Sequence, residues 1–145
     1  MKNFYTSLFI VLFLCSCVEG LNSEQKRRMS AIKFQAPQYQ EEEKSKGAAF
    51  ALGLLPGGGS FYTRHYVIGV VDLLLWPVSI LWDPINGLNG AEEINYYASL
   101  SNIKRAKKKE IDDLEEKFLK KEMSENQYLI KKNEIARKYD IDYLM

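Results

Sequence analysis

Two cysteines and one histidine are the whole supply of soft metal ligands in this chain of 145 residues. That scarcity excludes zinc-finger, iron–sulfur and multi-histidine metal sites within a single chain. The cysteines, Cys15 and Cys17, sit two positions apart near the start, so they do not make a disulfide framework. Charge of one sign is also lacking. Twenty Lys and Arg against 19 Asp and Glu leave a net charge of +1, which gives nucleic-acid binding no global electrostatic support. No unbroken apolar run reaches the ~20 residues of a comfortable membrane crossing. No internal repeat of useful length is present.

Apolar residues are present, but unevenly placed. They crowd into 4–14 and 48–82, whereas 19–46 and 101–140 are polar. The opening MKNFYTSLFIVLFLCSC places Lys2 before an apolar stretch from Phe4 to Leu14. Such a stretch is too short to span a bilayer and suits the core of a secretory signal. From Gln35 to Lys46 the chain reads QAPQYQEEEKSK, a composition expected of a linker.

The apolar half begins at Gly47. GAAFALGLL is interrupted by PGGGS, then FYTRH leads into YVIGVVDLLLWPVSILW, a 66–82 run broken by Asp72 and Pro77. Pro77 should bend or end a helix near Trp76. Trp76, Trp82, Tyr62 and Tyr66 are aromatic residues of the kind that sit at headgroup level. The block reads as a short apolar helical hairpin, re-entrant, interfacial or packed against a partner. DPINGLNG, 83–90, reads as a turn-rich exit.

Three chemical readings of this block can be weighed. Gly57-Gly58-Gly59 lacks the lysine of a phosphate loop and the third glycine of a dinucleotide loop, so a tight turn or close helix approach is expected. Asp72 lies inside VVDLLL, where a charge is costly and calls for a partner. Arg64 and His65 are its nearest basic neighbours in sequence. Asp72 then either makes a buried polar contact that recruits a partner helix, or marks a helix that never enters lipid. Ser60 or Ser79 with His65 and Asp72 could be written as a triad, yet no nucleophile elbow accompanies them, and no catalytic residue is assigned.

Residues 101–138 carry a lysine-rich run and then a helical stripe, Ile111, Leu114 and Phe118. Ser124 and Gln127 make a capping-box signal for a second helix bearing Tyr128, Leu129, Ile130 and Ile135. Each helix is expected to span about 12 residues and to need a partner. The lysines face nearby acids and read as a solvated helix face.

Three resemblances add to this reading. Leu14-Cys15-Ser16-Cys17 resembles the bacterial lipoprotein signal, which implies cleavage before Cys17, diacylglyceryl attachment to its sulfur and, usually, acylation of the new amine. Val18 in place of aspartate implies sorting toward the outer membrane, on its periplasmic face, rather than the inner membrane. The segment 56–76 resembles the two-transmembrane-helix domain through Pro56, Gly57, Gly58, Gly59, Phe61, Tyr62 and Gly69. Arg64 stands where that family usually has glycine, and His65 follows the aromatic pair instead of preceding it. The C-terminal segment resembles the SHOCT type of short domain at Leu114, Phe118, Met123, Ser124, Gln127, Tyr128, Lys131 and Ile135, with Glu122 where glycine is usual. That resemblance implies oligomerisation or protein contacts.

The expected chain is mainly α. It comprises a signal peptide (1–16), a lipidated tether (17–46), an apolar membrane-associated hairpin (47–100) and a charged helix-turn-helix (101–145). Its membrane hairpin rests on Pro56, Gly57, Gly58, Gly59, Phe61, Tyr62, Gly69, Asp72, Trp76, Pro77 and Trp82. Its interaction helices rest on Leu114, Phe118, Tyr128 and Ile135. The expected function is non-enzymatic: a lipid-anchored envelope protein with no cofactor, metal or nucleic-acid partner. It would contact membrane lipid through acylated Cys17, and copies of itself or another envelope protein through its helices. Two alternatives stay open. One is an envelope inhibitor of phage entry or of a cell-wall enzyme, and the other a lipoprotein subunit of a transport or secretion complex.

Overall fold

The computed structural model describes residues 18–142. The segment expected to be a signal sequence, and Cys17, therefore lie outside the described residues. Within them the chain is mainly helical, with no strands. Six α-helices appear: α1 (Ser23–Gln35), α2 (Lys46–Leu52), α3 (Gly58–Tyr62), α4 (Tyr66–Leu74), α5 (Asp83–Leu119) and α6 (Glu125–Lys138). Two 3₁₀ turns, Pro37–Tyr39 and Val78–Leu81, complete the set. They form two compact units. The first holds residues up to Asn22 together with Glu42–Asn95, and the second holds Ser23–Glu41 and everything from Tyr96.

The second unit has an ordinary apolar centre. Ile32, Ile103 and Tyr139 are buried together, with Tyr39, Leu100, Ala106, Ile135 and Ile141 against them. Tyr39 donates a hydrogen bond to the Tyr139 hydroxyl at 3.2 Å, and Tyr139 donates to Glu110 Oε1 at 2.9 Å. Burial, then the Tyr39 hydroxyl, push the Tyr139 phenol above its ordinary range. The expected tether thus contains α1, which places Ile32 in this centre. Sequence alone did not reveal it, because α1 is strongly polar and buries only Ala31 and Ile32.

The predicted capping box forms at α6. Gln127 N–H donates to Ser124 Oγ at 3.4 Å, and Ser124 N–H donates to Gln127 Oε1 at 3.0 Å. Phe118 stacks on Tyr128 with ring centroids 4.7 Å apart. At the end of α5, Lys121 takes the left-handed conformation, φ 59°. Its N–H donates to the Phe118 carbonyl, and that of Glu122 donates to Lys117, the Schellman pattern. The residue that needs the left-handed conformation is Lys121, one position before the Glu122 at which the resemblance expected glycine.

The helix preceding this turn is three times the expected length. It runs for 37 residues from Asp83, through the segment expected to be a turn-rich exit. Pro84 lacks an N–H that an early helical position would leave unbonded anyway. Gly87 and Gly90 serve contact, not turning. A Cβ on Gly87 would lie 2.6 Å from the Ala49 carbonyl oxygen, and one on Gly90 would lie 2.7 Å from Thr63.

Candidate functional site

The first unit is built around polar groups. The apolar block folds as α2, α3, α4 and a 3₁₀ turn against the start of α5, not as two long helices. Gly57 starts α3 in the left-handed conformation, φ 69°, which an L side chain rarely adopts. Gly59 lets α3 approach α5, since a Cβ there would meet the Asp83 carbonyl oxygen at 2.7 Å. On α4, the small face at Gly69 receives the Phe61 ring, which a Cβ would approach to 2.9 Å. Helix α4 ends at Leu74, and the Trp76–Pro77 peptide beyond it is cis.

This close approach sets two carboxylates on one hydroxyl. Asp83 Oδ1 accepts from Ser60 N–H at 2.9 Å and from Ser60 Oγ at 2.7 Å, while Oδ2 accepts from Gly59 N–H at 3.1 Å. Asp72 Oδ1 accepts from Trp82 Nε1 at 2.6 Å, and Asp72 Oδ2 lies 3.0 Å from Ser60 Oγ. Ser60, Asp72 and Asp83 have no exposed surface. The Ser60 hydroxyl has one hydrogen for two carboxylate contacts. Below about pH 6 a proton on Asp72 supplies the second. Burial pushes the Asp72 carboxyl up to about 6. The hydrogen bonds from Trp82 and Ser60 oppose that rise, and the charge of Asp83 adds to it.

Asp72 therefore pairs with neither Arg64 nor His65. Arg64 has a positive φ of 67° in the turn before α4 and forms an ion pair with Glu43. His65 Nδ1 is 3.1 Å from Thr63 Oγ1, and its Nε2 is 3.9 Å from Glu93. The imagined triad does not assemble: Ser60 is held between carboxylates, and Ser79 Oγ is buried with no hydrogen-bond partner. Among the described residues no group of three or more His, Cys, Asp or Glu is placed to hold a metal.

The outer surface of this unit reverses the usual arrangement. Its buried polar residues are Ser60, Thr63, Asp72, Ser79, Asp83, Asn86 and Asn95. Large apolar side chains face outward instead, including Val67 (80 % exposed), Leu74 (78 %) and Leu81 (73 %). On α4 the outward residues are Tyr66, Val67, Val70, Leu73 and Leu74, an arc of one helix face. Opposite them, Gly69 and Asp72 are buried. Trp76 is exposed, whereas Trp82 is buried on Asp72. Pro56, Gly58, Tyr62 and Pro77 lie in the turns and short helices that carry this surface.

Charge is segregated. Between 47 and 91 the formally charged side chains are Arg64, Asp72 and Asp83, and the two aspartates are buried. Among the others in the described part of this unit, Glu43, Lys44, Lys46, Glu92 and Glu93 make contacts with one another or with Arg64, His65 and Tyr62. Arg64 pairs with Glu43, Lys46 with Glu92 at 2.6 Å, and His65 with Glu93. Lys44 lies 4.3 Å from the Tyr62 ring centroid, and its backbone exchanges two hydrogen bonds with Asn95.

One contact had no signal in the sequence. Val18 is buried, its N–H donates to Asn86 Oδ1 at 3.0 Å, and its carbonyl accepts from Asn89 Nδ2 at 3.1 Å. Both asparagines come from the segment that reads as turn punctuation. Of the expected interaction residues of the second unit, Leu114 is buried, Ile135 packs against the apolar centre and Phe118 stacks on Tyr128, while the neighbouring Leu119, Leu129 and Ile130 are exposed. Compared with protein-family models, curated proteins and solved structures, the chain matches none of them.

Proposed function

We propose that this chain is a non-enzymatic, lipid-anchored protein of the bacterial envelope, acting through membrane association and protein contacts. The observation that carries the reading is the reversed polarity of the first unit. Moving a Val or Leu side chain out of water is worth roughly 1.5–3 kcal/mol. An outward face bearing Val67, Val70, Leu73, Leu74 and Leu81 is therefore a strong reason to leave water. The lipoprotein-like signal ending at Cys17 supports the same reading, since two or three acyl chains anchor stably where one does not. Val18 after the cysteine favours the outer membrane. The helical pair containing Leu114, Phe118, Tyr128 and Ile135 supplies the protein-contact surface through its exposed Leu119, Leu129 and Ile130, toward a second copy or another envelope protein.

Metabolic labelling with a palmitate analogue tests the anchor. Wild-type chain should be labelled and should sediment with membranes, and Cys17→Ala should take up no label. Equal labelling of both would sink the reading.

A further inference from the structure

We infer that the acyl anchor and the apolar face of the first unit form one contact surface, immersed together in a single leaflet. This rests on the acylation of Cys17 proposed above. The clamp on Val18 makes the connection. Its N–H and carbonyl are held by Asn86 and Asn89, so an acyl group on the preceding residue would start one peptide bond from a residue bonded to α5. A free tether of some thirty residues would instead let the anchor and the apolar block act independently.

The clamp also lies at a suitable depth. Asn86 and Glu92 are six residues apart on α5, about 9 Å along its axis. Glu92 pairs with Lys46, and Glu93 lies 3.9 Å from His65 Nε2, while Ile85 and Leu81 on the other side of Asn86 are exposed and apolar. The anchor would thus leave the unit between its charges and its apolar surface, the level of the lipid glycerol.

Hydrocarbon is the occupant that fits. The apolar surface is spread over α2, α3, α4, the second 3₁₀ turn and the start of α5, through Phe50, Leu55, Phe61, Leu74, Leu81 and Ile85. A medium covers so distributed a surface more readily than one partner helix does. The reach is that of one leaflet. Helix α4 has nine residues, about 14 Å long, against a hydrocarbon core of ~30 Å. Among the described residues no helix is long and apolar enough to cross a membrane.

The two tryptophans supply the test, because Trp76 is exposed and Trp82 is buried. Full-length acylated protein is bound to the outside of phosphatidylcholine vesicles. The vesicles carry brominated acyl chains in the outer leaflet only or in both leaflets. Fluorescence should be quenched equally in the two, and Trp76→Phe should remove most of the quenching. Three results overturn the inference. Vesicle-bound, acylated protein with unquenched Trp76 means that the anchor holds a unit lying outside the lipid. Quenching that needs bromine in the inner leaflet means that the unit spans. A Trp76 shielded from bromine only at high protein concentration means that a second copy covers the face. Mass spectrometry of the same sample reads acylation directly. Its absence would refute the proposed anchor separately, whatever Trp76 reports.

Discussion

Replacing Asp72 by asparagine should change how stability depends on pH. The buried Asp72 carboxyl titrates near 6 against an ordinary value of 3.8. The folded protein thus holds this proton more tightly than the unfolded chain does. The sign follows: the group is least costly below 3.8, and stability falls as pH rises through about 6. A rise of that size corresponds to about 3 kcal/mol, of which about 2.5 kcal/mol falls between pH 4 and pH 7.5. Asparagine keeps the geometry, with an amide hydrogen toward Ser60 and a carbonyl toward Trp82, and carries no charge. Asp72→Asn should therefore be close to wild type near pH 4 and more stable by about 2–3 kcal/mol near pH 7.5. Guanidinium unfolding in detergent micelles, followed by Trp82 fluorescence in a Trp76→Phe background, reads the difference. A gap that stays constant over this range, or shrinks as pH rises, would refute the shared-proton account of Ser60, Asp72 and Asp83.

Two further substitutions probe the packing. Ile32→Ala should cost about 2–5 kcal/mol in thermal or denaturant unfolding of the second unit, because Ile32 has no exposed surface beside Ile103 and Tyr139. A change near zero would mean that α1 is a detachable tether after all. Gly87→Ala should cost about 1–3 kcal/mol, since its new Cβ would meet the Ala49 carbonyl at 2.6 Å and push α2 from α5. A stabilising effect, as expected for alanine in a free helix, would show that this approach is not tight.

The polarity of the two halves was legible from residue order alone. A 45-residue stretch with so few charges, containing one aspartate in an apolar run, indicates a segment at odds with water. The helical stripe at Ile111, Leu114 and Phe118 and the capping pair Ser124 and Gln127 are local signals, and local geometry suffices to read them. Helix α1 is different. It is polar, and the partners of Ile32 lie some seventy and a hundred positions away, so no window of sequence contains the reason for its burial. A different limit hid the partners of Asp72, which lie only ten and twelve positions away. Sequence distance favoured Arg64 and His65, whereas the fold brought Ser60 and Trp82 to the carboxylate through glycines that allow backbones to touch.

Glycine and asparagine in 83–90 mark the boundary between what sequence determines and what only the tertiary structure decides. By themselves they read as turns, because glycine frees the backbone and asparagine bonds to it locally. In the folded chain they lie within a helix. Gly87 and Gly90 admit Ala49 and Thr63, and Asn86 and Asn89 hold Val18. Sequence determined that this protein is mainly helical and crowds the apolar residues of its described part into one block, 48–82. Only packing decided that the block turns its polar groups inward and that Val18 is clamped against it. Residue type specifies what a side chain can bond or bury, and the approach of distant backbones selects which of those options is used.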